Sequence, residues 1–236
     1  MTTAASEHTD TPHTDTPHTD ITPTDTTHTD ISPTDAAALS RLGTATLYEA
    51  SGLDCYLPPR VRPVWPGAAV VGRALPVSTA PADNLPLHLA LEQALPGDVL
   101  VVDGRQEACG YWGEVLTAAA QARGVLGLVI DGGVRDTDQL RRRGFPVFSS
   151  SVAVRTTVKN DPGTVGSPVT LGLATVNRGD LVVADADGVV VIPRAATADV
   201  LAGGLAREAA EARYMSRIAE GELTLDIYGF RPDPTD

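Results

Sequence analysis

The sequence predicts an α/β domain in which layers of strands and helices are stacked on one another. Residues 68–148 alternate Val-rich strands with helices, whereas residues 152–192 are short Val-rich runs separated by Gly and Asp turns. A long amphipathic helix is predicted over residues 195–220. These three observations favour stacked β and α layers over a doubly wound Rossmann sheet. The chain also has neither a Gly-x-Gly-x-x-Gly fingerprint nor a Walker loop, so a nucleotide cofactor is not indicated.

The chain divides into a leader over residues 1–35 and one folded domain over residues 36–236. The leader alternates Thr, Asp, His and Pro in a loose five-residue repeat and holds four of the five histidines. A segment of this composition buries too little apolar area to offset its loss of conformational entropy, so we expect a disordered, solvated leader. A metal-scavenging tail is the alternative that its histidines leave open. The leader has neither the basic start nor the apolar core of a signal peptide.

Turn residues and apolar periodicity set the expected order of elements. Asp35 can cap a first helix through Leu42, and a second helix runs from Thr44 or Thr46 to Ser51, where Gly52 stops it. The remaining predictions are an extended segment over 57–64, strands over 68–77, 99–103, 125–130, 146–148, 152–158, 169–176, 181–184 and 189–192, and helices over 84–95, 115–123, 137–143 and 195–220. Asp187-Gly188 is typical of a hairpin turn.

Charge and composition exclude several classes of function. The net charge of −12 argues against a nucleic-acid surface, and the basic run Arg141-Arg142-Arg143 is expected at the end of a helix, where cations favour the dipole. No apolar run is long enough for a membrane span. The two cysteines, Cys55 and Cys109, form neither a metal motif nor a disulfide framework, so a cytoplasmic protein is expected.

Two polar clusters follow predicted strands and are the candidate functional residues. The first is Gly110-Tyr111-Trp112-Gly113-Glu114-Val115-Leu116, and the second is Gly132-Gly133-Val134-Arg135-Asp136, with the glycine pair expected to form a turn. Backbone N–H groups at the start of the helix after the first cluster can hold an anion. A guanidinium beside a carboxylate at such a position suits a small oxo-acid together with a divalent metal. The alternative is a purely structural role, in which Asp136 caps a helix and pairs with Arg135 at the surface.

Other nucleophiles have less support in the sequence. Lys159 is the only lysine, so a Schiff-base mechanism would have to rest on it, but its position at the end of a predicted strand favours an ordinary surface lysine. His88 is the only histidine outside the leader, and no Gly-x-Ser-x-Gly elbow occurs, so a Ser–His–acid triad is poorly supported. Cys109 has no partner histidine and is interpreted as a packing residue.

The chain resembles the family of 4-hydroxy-4-methyl-2-oxoglutarate/4-carboxy-4-hydroxy-2-oxoadipate aldolases, whose other branch contains the regulators of ribonuclease activity A (RraA). The similarity covers nearly the whole folded part, from about Thr44 to Phe230. The matching segments are 58–64, 71–74, 96–103, 112–114, 124–136, 146–148, 185–193 and 221–229. The most specific signal is Arg135-Asp136 with Gly113-Glu114 upstream at this separation. The resemblance implies a single layered β/β/α domain of the RraA-like, swivelling-domain type.

The resemblance also implies the roles of individual residues. Asp136 would be the direct protein ligand of Mg²⁺ or Mn²⁺, and Arg135 would hold the ketone oxygen of a pyruvyl unit. The N–H groups of Val115 and Leu116, after Gly113, would bind its carboxylate. Glu114 stands where the aldolases usually carry an Asp beside the water shell of the metal. A glutamate from the C-terminal helix of a neighbouring subunit would complete the site, with Glu211 as the best match and Glu208 as the second; this implies a homotrimer or homohexamer.

The first hypothesis for function is therefore a divalent-metal-dependent pyruvate aldolase that cleaves 4-hydroxy-2-oxo acids. The same enolate stabilisation would support decarboxylation of oxaloacetate. One alternative is a non-catalytic, protein-binding regulator of ribonuclease activity, although Glu114 beside Arg135-Asp136 favours the enzyme. Another alternative is a related acid-metabolising enzyme on the same scaffold.

Overall fold

Four parallel strands form the centre of an eight-stranded sheet in the computed structural model, which describes residues 31–231. The strands are β1 (Arg62–Pro63), β2 (Val70–Ser78), β3 (Asp98–Asp103), β4 (Gly127–Val134), β5 (Val147–Val152), β6 (Thr164–Val165), β7 (Val169–Leu171), β8 (Ala174–Val176), β9 (Leu181–Ala184) and β10 (Val189–Ile192). The helices are α1 (Pro33–Ser51), α2 (Leu85–Gln93), α3 (Glu114–Ala122), α4 (Thr137–Arg142), α5 (Thr197–Ala219) and α6 (Thr224–Ile227), with a 3₁₀ turn over Arg194–Ala196.

The sheet order is β1-β5-β4-β3-β2-β9-β10, with β6 paired to β2 and a separate β7–β8 hairpin. Strands β2 to β5 are parallel, and β1, β6, β9 and β10 run antiparallel to their neighbours. Parallel strands are buried on both faces, which explains the nearly continuous Val, Leu and Ile runs of β3 and β4. The alternation of strand and helix in this half therefore follows from its crossover connections.

Three groups of buried side chains define the layers. One group joins α2, α3 and α4 to one face of the parallel strands. A second group joins the opposite face to the β7–β8 hairpin and to β9 and β10. A third group places α1 and α5 over β9 and β10. The predicted layered β/β/α architecture is confirmed.

The N-terminal helix differs from its prediction at both its start and its middle. Ser32 is the N-cap, because its Oγ accepts a hydrogen bond of 3.0 Å from the N–H of Asp35, so Asp35 is not the cap. The two predicted helices are joined in α1 across Gly43, whose φ of 76° breaks the helical conformation. After this kink, both the N–H and the Oγ of Thr44 donate to the Asp185 carboxylate at 2.7 Å. The helix begins at Pro33, before the predicted domain boundary, and residues 1–30 of the leader lie outside the described residues.

Three predictions between residues 125 and 176 were wrong in detail. Gly132-Gly133 is no turn but lies inside β4 at a shift in register with β5. Glycine is needed at position 133 because a Cβ there would lie 2.4 Å from the Cys109 carbonyl oxygen. The strand predicted over 152–158 is largely irregular and retains one bridge between Val158 and Asp83. The strand predicted over 169–176 is the β7–β8 hairpin, which turns at Gly172 with a φ of 64°.

The C-terminal half otherwise follows the predicted pattern. The hairpin at Asp187-Gly188 is confirmed, since β9 and β10 pair antiparallel around it. Helix α6 lies beyond residue 220, where the last predicted helix ends. Among residues 31–231, no helix is both long enough and apolar enough to span a membrane.

Candidate functional site

The loops that follow the four parallel strands meet at one edge of the sheet. Strands β2, β3, β4 and β5 end at Ser78, Asp103, Val134 and Val152. Because these strands run in the same direction, the loops after them share the carboxyl edge, where α/β sheets bind ligands. A cleft of about 330 Å³ lies at this edge and is lined by Asn84, His88, Gly110, Tyr111, Gly113, Val115, Leu116, Arg135, Asp136, Thr156, Thr157 and Lys159.

Arg135 and Asp136 lie side by side in this cleft. Their side chains are 47% and 37% exposed, so a ligand can reach both, and Arg135 Nε lies 3.9 Å from Asp136 Oδ2. Asp136 has a left-handed backbone (φ 59°) at the start of α4, and its Oδ2 accepts the N–H of Glu114 at 3.0 Å. The Arg135 N–H donates to the Trp112 carbonyl at 2.9 Å. The two predicted clusters are thus joined by direct hydrogen bonds.

Two glycines allow the first cluster to approach the second. A Cβ at position 113 would lie 2.4 Å from Asp136 Oδ2, and a Cβ at position 110 would lie 2.8 Å from Arg135 Cδ. Neither glycine has a positive φ, so steric space, not backbone freedom, requires glycine here. The wall of the cleft beside Arg135 and Asp136 is therefore made of bare backbone.

The start of α3 supplies donors for an anion. Val115 and Leu116 lie in the first turn of this nine-residue helix and line the cleft. The N–H groups of a first turn have no carbonyl partner within their own helix, and the helix dipole adds partial positive charge there. The Glu114 N–H is already used by Asp136. The arrangement can hold a carboxylate at Val115 and Leu116.

The three predicted glutamates are each held in an ion pair away from this cleft. Glu114 reaches Arg143 at the end of α4, with Oε1 3.0 Å from Nη2 and 3.1 Å from Nε. On α5, Glu211 pairs with Arg207 at 2.9 Å, and Glu208 pairs with Arg41 of α1. The side chain of Glu114 therefore turns away from Asp136, and a role for Glu211 or Glu208 in a neighbouring subunit stays a prediction.

The residues that α2 and the loop after β5 contribute to the cleft were not predicted from the sequence. Lys159 lines the cleft, and so do His88, Thr156 and Thr157, although Lys159 was interpreted as an ordinary surface residue. Partial burial, together with the charge of Lys159, lowers the pKa of His88. One available signal was that residues 156–159 follow the fourth parallel strand and must reach the same edge. Their Val-rich flanks favoured a strand instead.

The residues present fit a hard divalent cation. No group of three or more His, Cys, Asp or Glu side chains within residues 31–231 could hold a metal. Mg²⁺ is nevertheless often held by one or two carboxylates together with water and the substrate. Asp136 meets this requirement, because it is an accessible carboxylate on the wall of a cleft that also offers anion donors.

Fold and site together define an α/β domain with a carboxylate, a guanidinium and a helix N-terminus at the carboxyl edge of its sheet. The sequence model of the RraA-like family, described as Aldolase/RraA, matches residues 44–191. The chain belongs to this family.

Individual relatives agree with this assignment. A protein of Halalkalibacterium halodurans that carries the provisional name 4-hydroxy-4-methyl-2-oxoglutarate aldolase is 30% identical over 169 residues, covering 71% of this chain and 80% of the relative. An uncharacterized Pseudomonas syringae protein has a similar crystal structure, with a TM-score of 0.69, 30% identity, and coverage of 83% of this chain and 97% of the other. Streptomyces coelicolor RraAS2, described as an unusual member of the RNase ES inhibitor RraA family, also has a TM-score of 0.69, with 27% identity and coverage of 79% and 98%.

Proposed function

We propose that this protein is a divalent-metal-dependent pyruvate aldolase acting on 4-hydroxy-2-oxo acids of the 4-hydroxy-4-methyl-2-oxoglutarate type. The observation that carries the proposal is the joint placement of Arg135, Asp136 and the α3 N-terminus on one cleft. These groups match the oxo group, the metal and the carboxylate of a bound 2-oxo acid. The provisional aldolase name of the H. halodurans relative supports the same class of reaction.

The chain's own residues orient the substrate. The N–H groups of Val115 and Leu116 bind the carboxylate next to the oxo group, and the Arg135 guanidinium donates to the oxo oxygen. As the bond between C3 and C4 breaks, negative charge develops on that oxygen, and a fixed guanidinium in a cleft stabilises it. Decarboxylation of oxaloacetate passes through the same pyruvate enolate, so we propose it as a second reaction.

Asp136 is the residue that would hold Mg²⁺ or Mn²⁺. When bound, such a cation supplies Lewis-acid polarisation of the oxo group. Asp136 is itself oriented by the Glu114 N–H, and the left-handed backbone directs its carboxylate at the cleft. Glu114 and Arg143 form an ion pair next to this contact, so Glu114 acts on the site through its backbone and its pairing with α4.

The charges of the cleft favour a substrate with more than one carboxylate. Arg135 and Lys159 both line it, whereas Asp136 is the one acidic side chain of its wall. A second carboxylate on the substrate would place a further anionic group near the Lys159 ammonium. We infer a dicarboxylic oxo-acid as the substrate class.

Lys159 also supports a second candidate mechanism on the same substrates. A lysine in an oxo-acid cleft can form a Schiff base with the oxo carbon, as amine nucleophiles do in metal-independent aldolases. The two mechanisms differ in one observable. A Schiff base is trapped irreversibly by borohydride in the presence of pyruvate, whereas the metal mechanism is stopped by a chelator.

We also propose that the protein assembles as a trimer or as a hexamer of two trimers. The end of α5 and α6 carry exposed apolar side chains, which are Met215, Ile218, Leu223, Leu225, Tyr228 and Phe230. Within residues 31–231, Val200 and Gly204 are the only residues of α5 that are buried. An apolar surface of this kind is typical of a contact between copies.

The function is tested by measuring pyruvate release from a panel of 4-hydroxy-2-oxo acids and from oxaloacetate, with and without Mg²⁺ or Mn²⁺. We expect turnover that requires the metal, is lost in excess chelator and survives borohydride treatment with pyruvate. Full activity in chelator with trapping at Lys159 would replace the metal mechanism by the Schiff base. No pyruvate from any member of the panel would contradict the aldolase and favour a regulatory role, as the similarity to RraAS2 would then suggest.

A further inference from the structure

A buried carboxylate holds the segment that carries Lys159. Asp83 is 2% exposed and accepts three backbone hydrogen bonds. Its Oδ1 accepts the N–H of Leu85 at 2.9 Å, and its Oδ2 accepts the N–H groups of Asn160 and Asp161, both at 2.8 Å. Asp83 thus connects the start of α2 to the loop after β5.

Backbone contacts close the same junction on the other side of Lys159. The Val158 N–H donates to the Ala82 carbonyl at 2.9 Å, and the Asn84 N–H donates to the Val158 carbonyl at 3.1 Å. Lys159 therefore lies between two anchored residues, Val158 and Asn160. On the C-terminal side of Lys159, the Asp83 carboxylate holds the backbone of Asn160 and Asp161.

Lys159 is thereby held on the wall of the cleft. It lines the cleft together with His88 and Asn84, which are on α2 or next to its start. Burial alone would raise the pKa of Asp83. The amides of Leu85, Asn160 and Asp161 and the charge of Lys159 outweigh this effect and lower the pKa overall, so the carboxylate is ionised. The same ammonium contributes to the lowered pKa of His88.

We propose that Asp83 is a positioning residue that fixes Lys159 at the cleft, where the ammonium binds the second carboxylate of a dicarboxylic oxo-acid. Asp83 touches no substrate atom and acts only through the loop. This inference uses the proposed function to identify the ligand class, but the placement of Lys159 by Asp83 is a property of the chain alone. Loss of the Asp83 carboxylate is expected to weaken dicarboxylate binding and to leave monocarboxylate binding unchanged.

A second buried aspartate supplies a matched control. Asp180 is 5% exposed and also accepts backbone N–H groups, from Asn177 at 2.8 Å and from Arg194 at 3.0 Å. It lies between β8 and β9 and is not part of the cleft wall. Asp83→Asn and Asp180→Asn remove the same kind of interaction, so any general loss of stability should appear in both.

The single lysine makes the test independent of catalysis. Labelling with ¹⁵N-lysine gives one backbone amide signal, that of Lys159. In the full-length protein with Mg²⁺, this signal is followed during titration with 2-oxoglutarate or with pyruvate. In Asp83→Asn we expect a shifted signal before any ligand is added, and about tenfold weaker binding of 2-oxoglutarate, as for the loss of one charge-assisted contact. Pyruvate affinity should stay within twofold in all variants.

Three results would overturn the proposal. The first is an unchanged Lys159 signal and unchanged 2-oxoglutarate affinity in Asp83→Asn. The second is an equal loss of affinity in Asp180→Asn. The third is a loss of 2-oxoglutarate affinity that Asp83→Asn still causes when Lys159 is already Met, because residues that act through one another are not additive; affinity in this background, which has no lysine signal, is measured by titration calorimetry. If Asp83→Asn does not fold, Asn160→Pro removes one of the bonded N–H groups without changing the buried carboxylate and should weaken 2-oxoglutarate in the same way. A failed aldolase assay with a positive titration would reject the function and retain the positioning role.

Discussion

Position 136 requires a carboxylate and a left-handed backbone at once. Asp and Asn adopt this conformation more readily than most residues, because a short polar side chain can form local hydrogen bonds. Here the side chain accepts the Glu114 N–H, which ties the residue to the neighbouring loop. Asparagine can keep both the backbone and this hydrogen bond while removing the charge.

We therefore predict that Asp136→Asn loses pyruvate release by roughly 100-fold or more, because Lewis-acid stabilisation is worth several kcal/mol and each 1.4 kcal/mol is tenfold in rate. The melting temperature should change little. Asp138→Asn is the control, since Asp138 is 74% exposed and lies two residues away on the same helix. Metal-dependent turnover in Asp136→Asn near the wild-type value would remove Asp136 from the metal site.

His88 should make stability depend on pH. Partial burial and the nearby Lys159 lower its pKa in the folded protein below the ordinary value of 6.5. The unfolded chain therefore takes up this proton first as the pH falls, so acidification below about 6.5 favours unfolding. Between pH 7 and pH 5, wild type should lose more free energy of unfolding than His88→Gln. Equal losses in urea titrations of the two proteins would contradict the lowered pKa.

At the scale of elements, α1 connects the start of the domain to its core. Ser32 caps the helix, and Ile31 packs against the buried residues beneath α1 and α5. Loss of an N-cap side chain costs about 1 kcal/mol. The ordered domain therefore includes residues that composition alone assigned to the leader.

Two truncations should differ because of this cap. Removal of residues 1–30 should leave the melting temperature and turnover unchanged. Removal of residues 1–34 should lower the melting temperature by about 2–4 °C or more, since 1 kcal/mol has this effect in a domain of this size. Scanning calorimetry distinguishes the two, and equal melting temperatures would show that neither Ser32 nor Ile31 stabilises the domain.

The elements that could be predicted from sequence are those whose own periodicity decides their structure. Helix α3, the hairpin at Asp187-Gly188 and the pair Arg135-Asp136 after a buried strand all belong to this group. The segment 153–163 does not, because its conformation depends on bonds to residues 82–85, which are distant in sequence. Lys159 is exposed as expected, but its place on the cleft wall was missed for this reason, and no local pattern near it indicates Asp83.

At the scale of the whole molecule, the C-terminal arm, which is the end of α5 after Gly204 together with α6, has no buried residue within residues 31–231. Its aromatic residues contact one another, with ring centroids 5.3 Å apart for Tyr214 and Tyr228 and 5.5 Å apart for Tyr228 and Phe230. Glu211 lies on this helix in a pair with Arg207. In a cyclic assembly the same helix would be placed against a neighbour.

Mixing variants tests whether the site is shared between subunits. If Glu211 acts in a neighbour's cleft, Asp136→Ala and Glu211→Ala are each inactive, but about one quarter of the sites in an equal mixture of exchanging rings regain both groups. The expected result is therefore activity near one quarter of wild type after exchange. Two separately prepared samples of Asp136→Ala, mixed in the same way, should stay inactive. If no activity returns although subunit exchange is proven, Glu211 does not act in a neighbour's cleft. Glu208→Ala is then the next variant to mix with Asp136→Ala.

Two parts of the cleft wall differ in how freely they can be changed by mutation. Beside Arg135 and Asp136 the wall is the backbone of Gly110 and Gly113, where even a methyl group would collide with the reactive groups. Elsewhere on the wall, Thr156 and Thr157 present ordinary side chains on a loop. Random libraries aimed at altered substrate preference should therefore yield active variants at Thr156 and Thr157 and almost none at the two glycines. The chemistry and the substrate range of this scaffold can thus diverge independently.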